Sequence, residues 1–241
     1  MVKLIKDRRF KVVIDHNASS PQPAKGIWSA QHCTVTDDFA PDKAPPLNCS
    51  KAIIHHQLSV GHYSVLDFAF VKLDFSGFPH DCAMQMRVHQ GKQSMLCQSM
   101  RYTGAKMAKC GVGEIDVEEL FYAMPAGKYG SRDGTWEYTD RDRRTYLTNC
   151  QFSAANYAKT INAGIPEETA RRCLAAGYRQ NFTMAGTIRS MWHMLSQRTL
   201  ADSQIECQTA AYLALDVLEQ WEPGLFNYYR ANHAGKNQLA A

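Results

Sequence analysis

The stretch from Ser203 to Trp221 constrains the fold more than any other part of the chain. Apolar residues stand at 207, 210, 211, 214, 217, 218 and 221, the spacing of one helix face. Ser203 and Glu206 read as a capping box in front of that run, the hydroxyl bonding forward and the carboxylate reaching back. Pro223-Gly224 ends it. An apolar stripe of that length needs a partner surface. Residues 66–75, Leu-Asp-Phe-Ala-Phe-Val-Lys-Leu-Asp-Phe, are β-branched and aromatic and read as a strand closed by Gly77 and Pro79.

The remaining elements are less sharply drawn. Residues 10–14 read as a short strand, and 17–50 as a long irregular segment with room for one short helix. Residues 83–89 fit two periods. Met84, Met86 and Val88 alternate with Gln85, Arg87 and His89, as in a strand, whereas Pro79 suits the first position of a helix. Gln85 and His89 share a face under either period, and Arg87 joins them only in a strand. Residues 126–144, with Gly127, Gly130 and Gly134, read as an exposed excursion, with helix resuming near 146. Gly164-Ile165-Pro166-Glu167-Glu168 starts another helix, with Pro near its first position and two acids facing the dipole. No internal repeat is visible.

The chain has 241 residues, 45% of them apolar and 21% charged, enough to bury a core in one large domain or two small ones. The net charge of +4 comes without any long basic run. That gives no argument for nucleic acid and suits small anions met by a few placed arginines. The eight cysteines are scattered with no CxxC, and the N-terminal Met-Val-Lys-Leu-Ile-Lys lacks a leader's apolar segment. Reduced thiols in a cytoplasm are therefore expected. No stretch is apolar for long enough to span a membrane.

Several chemistries are excluded by motif. The histidines and cysteines form no known ligand spacing, so no metal is expected. GxGxxG after a strand, GxxxxGK[ST] and GxSxG are all absent. What remains is rich in arginine. Ser99 and Arg101 read as part of a short polar loop with Ser94 and Gln98. Arg171, Arg172, Arg189 and Arg198 lie in apolar helical surroundings. Arginine there is costly unless it meets an anion, and Ser hydroxyls with Arg forks suit a phosphate. The alternative is that these arginines pair internally with Glu167, Glu168, Asp202 and Glu206.

Gln98-Ser99-Met100-Arg101-Tyr102, with Ser94 before it, resembles the second half of the motif of the flavin-dependent thymidylate synthases: Arg-His-Arg, a short gap, Ser, then Arg-Tyr. The first half departs, because Arg87-Val88-His89-Gln90 stands where Arg-His-Arg is expected. Leu96-Cys97 replaces a polar pair, His193 stands where Asn is common, and Asp202 where His is frequent. Further blocks match in order: Gly61-His62-Tyr63-Ser64-Val65-Leu66-Asp67, Phe121-Tyr122-Ala123-Met124-Pro125, and residues 164–206 with Pro166, Glu168, Arg171, Arg189, Arg198, Gln204 and Glu206. The resemblance covers roughly residues 50–230 and leaves the N-terminal 45 unplaced.

The resemblance implies an α+β fold, a mostly antiparallel sheet packed against long helices, in a single domain over residues 1–241; the strand at 66–75 and the helix at 203–221 agree with it independently. By position, Gln85, Ser99, Arg101 and Arg171 would hold the nucleotide's phosphate and sugar. Arg198 would face the pyrimidine O2/N3 edge, with Arg198 and Ser99 the catalytic pair. His62, Ser64, His89, Ser94, Arg189 and His193 would line FAD. The implied reaction has NADPH reduce the flavin and methylenetetrahydrofolate donate the carbon, with sites between the subunits of a homotetramer and Arg171 and Arg198 serving a neighbour's nucleotide. No Cys nucleophile is needed, and Cys97 reads as packing. The leading expectation is dUMP to dTMP. The changed motif residues raise a second, a flavin-dependent dCMP or dUMP hydroxymethylase of the kind phages use to make modified pyrimidines, working in an infected host's cytoplasm. A third is a nucleotide-binding homologue without catalysis.

Overall fold

The computed structural model of the protein describes residues 4–32, 45–88, 93–131 and 134–236. Its elements in order are β1 (Lys11–Ile14), α1 (Pro23–His32), α2 (Cys49–His56), β2 (Phe70–Pro79), α3 (His80–Arg87), β3 (Gln93–Cys97), α4 (Met100–Gly111), α5 (Val117–Leu120), β4 (Gly127–Ser131), β5 (Gly134–Tyr138), α6 (Asp140–Asn162), α7 (Glu167–Ala170), β6 (Arg179–Thr187), α8 (Ile188–Arg198), α9 (Ile205–Trp221) and α10 (Pro223–Asn232). Short 3-10 turns cover Leu58–Val60, Tyr63–Phe68 and Arg171–Cys173.

The main sheet is antiparallel throughout, in the order β1-β2-β6-β3. In β2 the side chains of Val71, Leu73 and Phe75 are buried and those between them face outward, the period-two pattern of a half-buried strand. β6 answers with Phe182 and Met184, and Phe75 stacks on Phe182 with ring centroids 4.6 Å apart. The buried face packs against α3, α8 and α9, whose apolar residues join it in one large core that also takes in α1, α2 and α10. The fold is therefore the expected α+β architecture.

A second apolar cluster lies away from that face. Met100, Met107 and Cys110 of α4 pack on Cys150, Ala154 and Tyr157 of α6, with Phe121 and Ala170. The helices approach so closely that a Cβ on Gly111 would stand 2.3 Å from the carbonyl oxygen of Ala154.

Several expectations change. The strand begins at Phe70 rather than 66, because Leu66 and Asp67 are held in a 3-10 turn where Asp67 Oδ1 accepts the Thr187 hydroxyl at 3.0 Å. Gly77 does not end it. Its φ of 81° makes a bulge, and the backbone of Arg9 runs so close that a Cβ there would lie 2.2 Å from a carbonyl oxygen. Pro79 is the extended residue before α3, not its first helical position. Residues 80–87 are helical, burying Cys82, Ala83 and Met86, and His89 lies outside the described residues. The excursion at 126–144 is the β4–β5 hairpin followed by α6, which begins at Asp140 because Thr139 and Asp142 form a reciprocal capping box. The capping box expected at Ser203–Glu206 does not form. Helix α9 starts at Ile205 with Gln204 as its cap, the Ser203 hydroxyl donates to the Gln197 carbonyl at 2.8 Å, and Glu206 is buried instead.

Candidate active site

The loop expected at 94–101 is an edge strand running into a helix. Ser94 is an exposed residue of β3, opposite Ala185 of β6, and Ser99 caps α4 with its Oγ accepting the Arg101 N–H at 3.3 Å. Arg101 therefore sits in the first turn of α4. A cation there works against the helix dipole, and the conflict is relieved when an anion joins it. In this chain the anion is Glu168 of α7, whose Oε2 lies 3.3 Å from Arg101 Nε, with both side chains more than half exposed. One of the internal pairings weighed from the sequence thus forms, in the exposed setting where such pairs contribute little. Arg171, exposed on the turn that continues α7, belongs to the same neighbourhood, since α7 packs on α4.

Gln98 lines a cleft with Met100, Thr103, Lys106 and Arg179. Arg179 is fully occupied by Asp7 at 2.7 Å and by the carbonyls of Gly77 and Glu118.

A different group forms on the large core. Arg198, in the last turn of α8, reaches α3: its Nη2 donates to the Gln85 carbonyl at 2.8 Å and its Nη1 to Gln85 Oε1 at 3.3 Å. Gln85 Nε2 in turn donates to Gln204 Oε1, and Gln204 Nε2 to Asp81 Oδ2 at 3.4 Å. Sequence reasoning nominated Gln85 and Arg198 and missed that Gln204 and Asp81 hold them. The signal that could have found Asp81 is an acid in the first turn after Pro79, on the same helix as Gln85.

The structure therefore divides the nominated nucleotide residues between two places. Gln85 and Arg198 lie on helices of the large core, while Ser99, Arg101 and Arg171 lie on α4 and the turn after α7, beside the α4–α6 cluster. The resemblance implied that Arg171 and Arg198 together serve a neighbour's nucleotide; within one chain Arg198 hydrogen-bonds Gln85.

Of the residues nominated for FAD, His62 and Ser64 lie on or beside the 3-10 turn at 63–68, and Arg189 and His193 lie on α8, which packs on that turn. Ser64 is exposed on that turn and His62 is exposed just before it. Arg189 and His193, one turn apart on α8, share a helix face. Arg189 Nη1 touches Asp67 at only 3.5 Å and is partly exposed. β3 joins this region as Gln93 Nε2 donates to the Ser190 carbonyl at 2.7 Å, leaving Gln93 Oε1 buried with no partner. Hydroxyls, an imidazole and a loosely held guanidinium are donors to the phosphates and ring carbonyls of a dinucleotide, and the orphaned Gln93 Oε1 is an acceptor for a ring or ribose donor, so these residues fit a flavin. Cys97 is half-buried beside β6, and burial pushes its thiol up despite the charge of Arg87. It is held as a neutral thiol, in keeping with packing.

A model of the thymidylate synthase complementing protein family matches residues 13–224. The chain belongs to this family, that of the flavin-dependent thymidylate synthases. A flavin-dependent thymidylate synthase of Sulfurisphaera tokodaii is 30% identical over 231 residues, covering 96% of this chain and 78% of that one. Another, from Halobacterium salinarum, is 28% identical over 195 residues, 78% of each chain. Among solved structures, the UMP/dUMP methylase PolB of Streptomyces cacaoi superposes with a TM-score of 0.75 at 17% identity, over 98% of this chain and all of that one. ThyX from Helicobacter pylori, solved with FAD and dUMP, gives 0.69 at 15% identity, over 91% and 98%. The two structures share the fold, and the family places the chain among thymidylate synthase-like methyltransferases. Among the described residues no helix is long and apolar enough to cross a membrane, and no His, Cys, Asp and Glu side chains gather as a metal site.

Proposed function

We propose that this protein, acting as one catalytic domain, transfers a one-carbon unit from methylenetetrahydrofolate to C5 of dUMP, with FAD as cofactor and NADPH as reductant. The observation that carries the reading is the Arg198–Gln85 pair. It sets a guanidinium beside an amide, the donor and acceptor that a pyrimidine's O2/N3 edge requires. Arg198 would bind the edge and stabilise the negative charge that builds on the ring as C5 reacts. Ser99, Arg101 and Arg171 would hold the phosphate, which replaces Glu168 as the anion at the start of α4. FAD, when bound, would supply the electrons that reduce the transferred carbon. His62, Ser64, Ser94, Arg189 and His193 would hold it, with His89 from the motif.

The separation of the two groups supports a site completed by a second copy of the chain, as in a homotetramer, with Arg198 and Gln85 from one copy and Ser99, Arg101 and Arg171 from another. Tyr102, 87% exposed, and Leu96, 74% exposed, flank the Ser99–Arg101 group. Large apolar side chains so exposed beside a functional group mark a surface that a partner covers. Leu96, with exposed Val88, favours a second reading, the hydroxymethylase, because both replace polar residues of the family motif.

Incubation of the FAD-loaded protein with NADPH, methylenetetrahydrofolate and dUMP, UMP or dCMP tests both. Methyl transfer adds the mass of CH2 to the nucleotide, and hydroxymethyl transfer that of CH2O. No mass change on any nucleotide refutes both readings.

A further inference from the structure

We infer that Gln204 and Asp81 are positioning residues that set the orientation of the Gln85 amide and, through it, the aim of Arg198. The inference rests on the proposed role of Arg198 and deepens it. A glutamine amide has a donating and an accepting end, and only its surroundings decide which points where. Here the decision starts from a carboxylate. Asp81 accepts the Cys82 N–H on Oδ1 at 2.7 Å and the Gln204 amide on Oδ2 at 3.4 Å. A carboxylate only accepts, so Gln204 must present Nε2 to it and Oε1 to the other side. Gln85 must then meet Gln204 with Nε2, as it does, which turns Gln85 Oε1 toward Arg198 Nη1 at 3.3 Å.

A second donor agrees with that polarity. The buried thiol of Cys207, whose one proton has Cys82 Sγ at 3.4 Å and Gln85 Oε1 at 3.6 Å as acceptors, is compatible with an oxygen at that end of Gln85. A flipped Gln85 would set its NH2 against a guanidinium and a thiol, donor against donor, and leave two carbonyl oxygens facing each other at Gln204. The chain of amides thus carries one bit of information, the direction of each dipole, from Asp81 on α3 through Gln204 at the start of α9 to Arg198 at the end of α8. The groups facing Gln204 are Asp81 and Gln85 of α3 and Glu206 of its own helix, whose carboxyl both Gln204 and Asp81 influence; Arg198 lies one amide further on.

Three variants test the relay. Gln204→Leu keeps the volume and removes the amide. We expect kcat to fall about 10- to 100-fold, the cost of leaving the half-buried Gln85 amide unpaired and a cation unaimed, with KM for the nucleotide changed far less, since aim matters most as charge develops. Asp81→Asn removes the group that sets the direction, and a smaller fall of the same kind is expected. Gln204→Glu keeps an acceptor for Gln85 but faces Asp81 with a second carboxylate. Protonation restores the missing donor, so its activity relative to wild type should recover as pH is lowered, a response that a purely structural role would not produce.

Crystal structures of the variants give a readout independent of turnover. Loss or displacement of the Arg198–Gln85 contact in Gln204→Leu supports the relay, and an unchanged contact overturns it. Wild-type kcat in Gln204→Leu, or a pH profile of Gln204→Glu parallel to wild type, also overturns it. A wild-type protein inactive on every pyrimidine nucleotide would refute the proposed function instead, and the crystal structures would still decide the relay.

Discussion

Mixing two crippled variants tests the division of the site most directly. Arg198→Ala removes a charge-assisted contact to a developing anion and should lower kcat about 100- to 1,000-fold. Arg101→Ala removes a phosphate contact and should lower kcat/KM about 10- to 100-fold. Its pair with Glu168 is exposed, so the fold should not suffer. Arg198 lies on the large core and Arg101 at the start of α4 beside the other cluster. If one copy supplies Arg198 and another supplies Arg101, a one-to-one mixture unfolded and reassembled together forms wild-type sites whenever an Arg101→Ala chain supplies the first and an Arg198→Ala chain the second. Random assembly in a symmetric oligomer makes that about a quarter of all sites. Activity of the mixture should therefore rise to roughly a quarter of wild type, far above either variant alone. The assay is release of the C5 hydrogen isotope from labelled dUMP, with mixing verified by native mass spectrometry. Mixed oligomers with no more activity than the average of the two variants would refute the two-copy site.

Other consequences are simpler to measure. Burial raises the Glu206 carboxyl above its ordinary range, so the folded state holds that proton more tightly than the unfolded chain. The stability it contributes is present below about pH 4.5, its ordinary value, and is lost as pH rises through the raised one. Glu206→Gln should therefore raise Tm at pH 8 and leave it little changed at pH 4; the reverse order in thermal melts refutes this. Gly77→Ala should destabilise the protein by about 2 kcal/mol or more, because the positive φ and the Arg9 backbone both oppose a Cβ; urea titration measures it, and an unchanged midpoint would count against the bulge. Thr139→Ala breaks the capping box of α6 and should cost about 1 kcal/mol by the same titration.

Much of the fold was legible because local rules agreed with tertiary ones. The 207–218 stripe of α9 needed only helical periodicity, and β2 only its β-branched and aromatic residues. Misreadings arose where a distant contact outvoted a local signal. Gly77 looks like a strand end and is a bulge because Arg9 passes over it. Ser203 and Glu206 look like a cap, but Glu206 turns inward beside Tyr122 and Asp81. The capping box of α6 stands in the sequence at Thr139 and Asp142, with Asp in place of the usual Glu or Gln. In the candidate site the sequence offered Glu168 among four acids as a partner for the arginines, but not which arginine it would meet, nor that Arg198 would stand with Gln85. Arg101 with Glu168 and Arg198 with Gln85 are contacts between segments far apart in the chain.

By itself the sequence determined the family, through the motif around Ser99 and the blocks that match in order, and through the family the α+β class; the same residues supply the side-chain types that can meet a phosphate and a pyrimidine. Only the tertiary structure decided which arginine stands with which partner, since that depends on how α3, α8 and α9 pack against one sheet while α4 packs on α6. It also decided the direction of the amides between Asp81 and Arg198. A glutamine in a sequence has no orientation; it acquires one when a carboxylate at one end leaves it no other choice.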